Sequence, residues 1–221
     1  MNYTISSDPY PLLRVQLAPG DVVETEAWAV VGLTGAAEIS SVALKLTKLN
    51  LKAKVATKKA IVHSRFVATS PAELILTSGI IGQIIALAPP DGEGLHVAAG
   101  SYIASTDGIE FDVTLVKLSR TSRLPFLTFT GTGKTFIGAS GSAHTMVLEP
   151  SETIIVERLH LLAMDASVSV EDGSESGVWP TVTGQELLQL TGPGQVVIQS
   201  LPRTPRTSPI GAAVSAITSL I

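Results

Sequence analysis

Residues 184–201 read Gly-Gln-Glu-Leu-Leu-Gln-Leu-Thr-Gly-Pro-Gly-Gln-Val-Val-Ile-Gln-Ser-Leu, two alternating runs on either side of a Gly-Pro-Gly turn. Leu188 and Leu190 alternate with polar neighbours, and Val196 and Ile198 resume the alternation. This spells strand, tight turn, strand. The pattern returns upstream: residues 130–137, Thr-Gly-Thr-Gly-Lys-Thr-Phe-Ile, match residues 191–198 position by position. A looser copy lies at residues 77–87, where Gly82-Gln83-Ile84-Ile85 echoes Gly194-Gln195-Val196-Val197. One unit carried three times predicts an all-β fold of three degenerate repeats built from antiparallel hairpins.

A second module supports this. Leu13, Val15 and Leu17 alternate into Pro19-Gly20-Asp21, a turn, and Val22 to Glu26 returns as a strand. Residues 146–157 repeat it, with Pro150 in the place of Pro19, Glu152 of Asp21 and Glu157 of Glu26. The middle copy, residues 95–105, is shorter. The apolar run 74–87, broken by Gly79 and Gly82, suits strands buried on both faces. Residues 36–65 read as two short strands with a phase slip near Thr47-Lys48, although Ile39, Val42, Leu46 and Leu49 also suit a helix. These elements make one domain, residues 1–201. Residues 202–221 follow as an extended linker and a short C-terminal helix capped by Ser208-Pro209, with a docking face of Ile210, Val214, Ile217, Leu220 and Ile221.

Composition narrows the classes. With 45% hydrophobic and 15% charged residues, the chain buries a core instead of staying disordered. A net charge of −4 disfavours a generic nucleic-acid binder. The absence of cysteine excludes disulfides, thiolate metal sites and a cysteine nucleophile. No basic-then-apolar leader opens the sequence and no apolar run reaches membrane-spanning length, so the expected location is cytoplasmic.

The ordering of these motifs resembles the altered-inheritance-of-mitochondria protein 24 family, also described as domain of unknown function 124. The resemblance spans about residues 1–200 and rests on Leu13 to Gly20 with Glu26 after it, and on Gly184 to Gln199 around the Thr-Gly-Pro-Gly turn. It implies a fold similar to the tryptophan RNA-binding attenuator protein, with repeats about a pseudo-threefold axis. It also implies links to inner-membrane organisation for mitochondrial members. The family's Gly-Glu-rich element before each glycine turn survives only at Gly184-Gln185-Glu186-Leu187.

Candidate chemistry is sparse. Gly131-Thr132-Gly133-Lys134-Thr135 imitates the end of a phosphate loop, but Thr128 stands where a glycine is required and a strand pattern, not a helix, follows. His63, His96, His144 and His160 show no local metal spacing. Ser140 lacks the full nucleophile elbow. Glu171, Asp172 and Glu175 lack calcium-loop spacing. No catalytic residue, metal ligand or cofactor is therefore predicted. Six of the eight lysines, Lys45, Lys48, Lys52, Lys54, Lys58 and Lys59, fall in a window from 39 to 72 that contains no acid. They are candidate contacts for an anionic partner, set against protection of an edge strand from aggregation.

The sequence thus predicts a non-catalytic structural or interaction module, a homo-oligomeric scaffold binding a protein partner or a membrane surface. Two alternatives stand beside it. One is a small-molecule or metal-binding enzyme in a β-barrel-like cavity, which convergent histidines would favour. The other is a polyanion binder, for lipid head groups or nucleic acid, acting through Lys45–Lys59.

Overall fold

A computed structural model describes residues 1–7, 9–43, 62–118, 123–173 and 186–202. The lysines from Lys45 to Lys59, the tail linker and the docking-helix residues Ile210, Val214, Ile217, Leu220 and Ile221 lie outside these residues, as does Glu175.

The described chain is built of strands: β1 Asn2–Ile5, β2 Leu12–Leu17, β3 Val22–Thr25, β4 Val30–Thr34, β5 Ala37–Ala43, β6 Val62–Ala68, β7 Ala72–Thr77, β8 Gly82–Leu87, β9 Leu95–Ala98 and β10 Tyr102–Thr106. There follow β11 Ile109–Lys117, β12 Arg123–Gly131, β13 Thr135–Ser140, β14 Ala143–Leu148, β15 Thr153–Glu157, β16 Leu161–Asp165, β17 Ser169–Asp172, β18 Leu187–Thr191 and β19 Gly194–Gln199. Short 3-10 turns stand at Ala27–Ala29 and Arg158–His160. The strands form four antiparallel sheets, ordered β1-β2-β7-β4, β5-β6-β3-β10-β13-β8, β11-β12-β9-β16-β19-β14 and β15-β18-β17.

The tight turns are real, but they do not close hairpins. β2 and β3 flank Pro19-Gly20-Asp21 and belong to different sheets, as do β14 and β15, β12 and β13, and β18 and β19. Each turn is a corner between layers. Its chemistry is repeated: Asp21 accepts the Ala18 N–H at 2.9 Å, and Glu152 accepts the Glu149 N–H at 2.8 Å. Gly20 sits at φ +90° and Ser151 at φ +69°, so the left-handed corner survives without glycine in the second case. The strands that do pair as neighbours in sequence are β1 with β2, β5 with β6, β11 with β12 and β17 with β18. Turn chemistry dictates that a chain reverses; which strand it then lies beside is decided by burial on both faces.

Two further expectations change. β7, not β8, takes the position that β13 and β19 occupy. β7 lies between β2 and β4, β13 between β8 and β10, and β19 between β14 and β16, while β8 is a sheet edge. The echo of Gly194 at Gly82 is therefore out of place. The run 74–87 is also not buried on both faces: Leu74, Leu76 and Ile84 are buried, while Ile81 is exposed. The doubly buried strands are β9, β10, β13 and β16, near the middle of the six-stranded sheets. Of the segment 36–65, the strands Ala37–Ala43 and the start of Val62–Ala68 are described, while the expected phase slip near Thr47-Lys48 and the residues flanking it lie outside the described residues.

Three apolar clusters fill the space between layers. One joins Leu13, Val15 and Leu74 to Ile103 and Phe136; one joins Tyr102, Leu127 and Phe129 to Leu162 and Val197; one joins Leu161, Leu188 and Val196 to Leu124 and Phe126. Burial of such side chains contributes on the order of 1.5–3 kcal/mol each.

Candidate functional site

The densest charged arrangement among the described residues lies where β3 meets β6 and β10. The β3–β6 register sets Glu24 opposite Arg65, and His63 follows on the same face of β6 two residues away. His63 Nε2 donates to Glu24 Oε2 at 2.7 Å, and Arg65 donates to Glu24 Oε1 at 2.7 Å. Arg65 also reaches Asp107 at 3.8 Å. From β10, the Tyr102 hydroxyl donates to the Glu24 carbonyl at 3.1 Å and lies 3.0 Å from Ser105 Oγ. Phe111 covers the imidazole, with ring centroids 5.2 Å apart. His63 is 3% exposed, and its Nδ1 has no hydrogen-bond partner among the described residues.

The hydrogen bond from His63, aided by Arg65, holds the Glu24 carboxyl below its ordinary value against the opposing effect of burial. Burial pushes the Tyr102 phenol far above its ordinary range, so it remains a donor. The cluster clamps three strands from two parts of the chain. Nothing in the sequence pattern singled it out, although Glu24 in an apolar strand and His63 two residues before Arg65 were its visible traces.

The other histidines stand apart. His96 Nδ1 lies 2.8 Å from Thr128 Oγ1 in an open cleft of about 480 Å³, lined also by Asp91, Glu93 and Thr114. His144 is exposed on edge strand β14. His160 Nδ1 donates to the Gln199 carbonyl at 2.8 Å. Among the described residues no three His, Asp or Glu side chains are placed to hold a metal ion. The Gly131–Thr135 segment leads into β13, and the Lys134 N–H donates to Thr106 Oγ1 at 2.9 Å, which makes it a corner and not a phosphate cradle. Burial raises the Asp165 carboxyl, with Glu93 adding to the rise and the Gln195 N–H opposing it. No helix among the described residues is long and apolar enough to cross a membrane.

The surface carries a second feature. Among the described residues, Tyr3, Val31, Ile39 and Val147 are the large apolar side chains exposed within strands. They lie on β1, β4, β5 and β14, and each of these is an edge of its sheet.

These features define an all-β fold of four antiparallel sheets, with a charged cluster across β6, β3 and β10 of one sheet and exposed apolar side chains on edge strands. Residues 3–201 match the family described as Mitochondrial biogenesis AIM24, and the chain belongs to that family. The motifs at residues 13–26 and 184–199 had pointed there. The fold is similar to the crystal structure of protein SPYM3_0169 from Streptococcus pyogenes, with a TM-score of 0.70, 19% identity, and coverage of 91% of this chain and 94% of that one. No curated protein matches the chain.

Proposed function

We propose that this chain is a non-catalytic interaction module that self-associates into a homo-oligomeric scaffold and presents its surface to a protein partner or a membrane. The observation that carries the reading is the confinement of strand-borne exposed apolar side chains to sheet edges, at Tyr3, Val31, Ile39 and Val147. Edges of that kind pair with other strands unless they are covered. Separation of the four histidines supports a non-catalytic reading. A membrane-facing arm rests on the acid-free lysine segment, Lys45 to Lys59, whose charges suit anionic head groups. The proposed compartment is the cytoplasm, which suits a chain that draws no stability from disulfides.

The proposal includes three degenerate repeats in a pseudo-threefold, attenuator-protein-like order. Support comes from the pairing. The sets β2-β7-β4, β8-β13-β10 and β14-β19-β16 share one order, and so do β3-β6-β5, β9-β12-β11 and β15-β18-β17. The register breaks at corresponding places, Val30/Gly32, Tyr102/Ala104 and Leu161/Ala163. Sedimentation equilibrium of the full chain tests self-association. The expected mass is a multiple of 23.0 kDa; a single-chain mass at all concentrations overturns the scaffold.

A further inference from the structure

We propose that the outer edges of β4 and β15 form a head-to-tail seam between two copies of this chain. This rests on the reading of the chain as a self-associating module of three repeats, and it says which surface does the joining. Two seams of the same kind are already built within the chain. β3 pairs with β10, Thr25 opposite Ala104 and Glu24 opposite Ser105; β9 pairs with β16, Val97 opposite Ala163 and His96 opposite Met164. β10 and β16 each carry a register break just before the paired residues, and β4 carries the same break between Val30 and Gly32. β15 runs into a 3-10 turn, as β3 does. Transferring the pattern sets Gly32 opposite Val156, Leu33 opposite Ile155 and Thr34 opposite Ile154. Among the described residues neither strand has a partner on that side, since β4 ends one sheet and β15 ends another.

Exposure marks the same place. The residue at the break is Ile103 in one built seam and Leu162 in the other, both 0% exposed; in β4 it is Val31, 56% exposed. Val30 and Leu33 are half-buried where Tyr102, Leu161, Ser105 and Met164 are buried, and Ile154 is half-buried where Val23 and Leu95 are buried. Both edges are apolar, and neither carries the lysine or proline that blunts an open edge. The occupant that fits each is the other. A strict threefold would close β4 on β15 within one chain, but among the described residues the two strands do not pair and Val31 is left exposed, so the second copy supplies the missing edge. A contact of this heterologous kind closes into a ring or runs on as a filament.

The chain has no cysteine, so pairs can be placed without background. Facing positions on paired strands fall within disulfide reach. Full-length Leu33→Cys and Ile155→Cys chains, mixed and gently oxidised, are expected to give a covalent dimer that neither gives alone. Thr34→Cys with Ile154→Cys serves as a second pair if one variant folds poorly. Chains carrying both substitutions are expected to link into ladders or covalent rings. Closure of such a chain on itself as a single-chain disulfide overturns the proposal, because the seam is then internal. So does a crosslink that forms only when the chain ends at Leu201, because the tail then covers the edge. No crosslink in variants that still sediment as oligomers removes this seam and leaves self-association standing. A wild-type chain that sediments as a monomer removes both.

Discussion

Replacing Glu24 with alanine tests whether the charged cluster clamps β3 to β6. The side chain is 16% exposed and binds His63 and Arg65 at 2.7 Å each. Without it, a histidine that is 3% exposed loses the acceptor for Nε2, while Nδ1 has no partner among the described residues. Stranding one buried polar group costs about 1–3 kcal/mol. The bond to Arg65 adds less, roughly 1 kcal/mol at most, because that side chain is 37% exposed and screened. The sum is about 3 kcal/mol, or a fall in Tm of roughly 6–12 °C for a chain of this size. Glu24→Gln keeps an acceptor for His63 and should lose about half as much. The pH dependence has a definite sign. Because the folded carboxyl is held below its ordinary value of 4.5, its contribution is complete above that value and is lost as pH falls through the lower folded value. Calorimetry at pH 7 and below pH 4 should therefore show the gap between wild type and variant narrowing in acid. The exposed Glu38 on β5 is the control, expected to change stability by less than about 0.5 kcal/mol when replaced by alanine. An equally small effect for Glu24→Ala, or a gap that does not change with pH, would refute the clamp.

Three further outcomes are expected. Gly131→Ala meets both a left-handed backbone, φ +95°, and a clash of the new Cβ with the Gly108 carbonyl oxygen, whereas Gly20→Ala has the backbone strain alone. Urea titration should show the first costing about 3 kcal/mol or more and the second roughly 1–2. Asp165→Asn keeps an acceptor for the Gln195 N–H, now at 2.7 Å, and removes a charge that burial disfavours. Since the folded value of Asp165 is raised, its ionised form detracts from stability above the unfolded value. Tm at pH 7 should rise by roughly 2–4 °C, and the difference should vanish in acid. Flotation with anionic vesicles should be abolished by salt and by Lys→Gln changes at Lys45, Lys48, Lys52, Lys54, Lys58 and Lys59. Equal flotation with neutral vesicles would remove the electrostatic arm.

Strand positions were legible because alternation is local: Leu13, Val15 and Leu17 point inward as their spacing dictates. The corners were legible too, through Pro19-Gly20-Asp21 and its Glu152 counterpart. Partnership was not. A glycine turn looks the same whether it closes a hairpin or carries the chain to another sheet, and the choice depends on strands distant in sequence, as where the Thr25 hydroxyl donates to the Ile103 carbonyl 78 residues on. The misplaced echo at Gly82 has the same origin, since edge strand β8 and central strand β19 share a local pattern but differ in how many neighbours they meet. The Glu24 cluster escaped notice because its members are spread over 24, 63, 65, 102 and 105, and only the sheet register brings them together.

The most direct test is hydrogen exchange on the self-associated chain, read for peptides covering residues 30–34 and 153–157. If copies join through β4 and β15, the outward amides of both strands exchange as slowly as those of β3 and β10, which are paired within the chain. Fast exchange at β4 and β15, with β3 and β10 protected, would contradict the account.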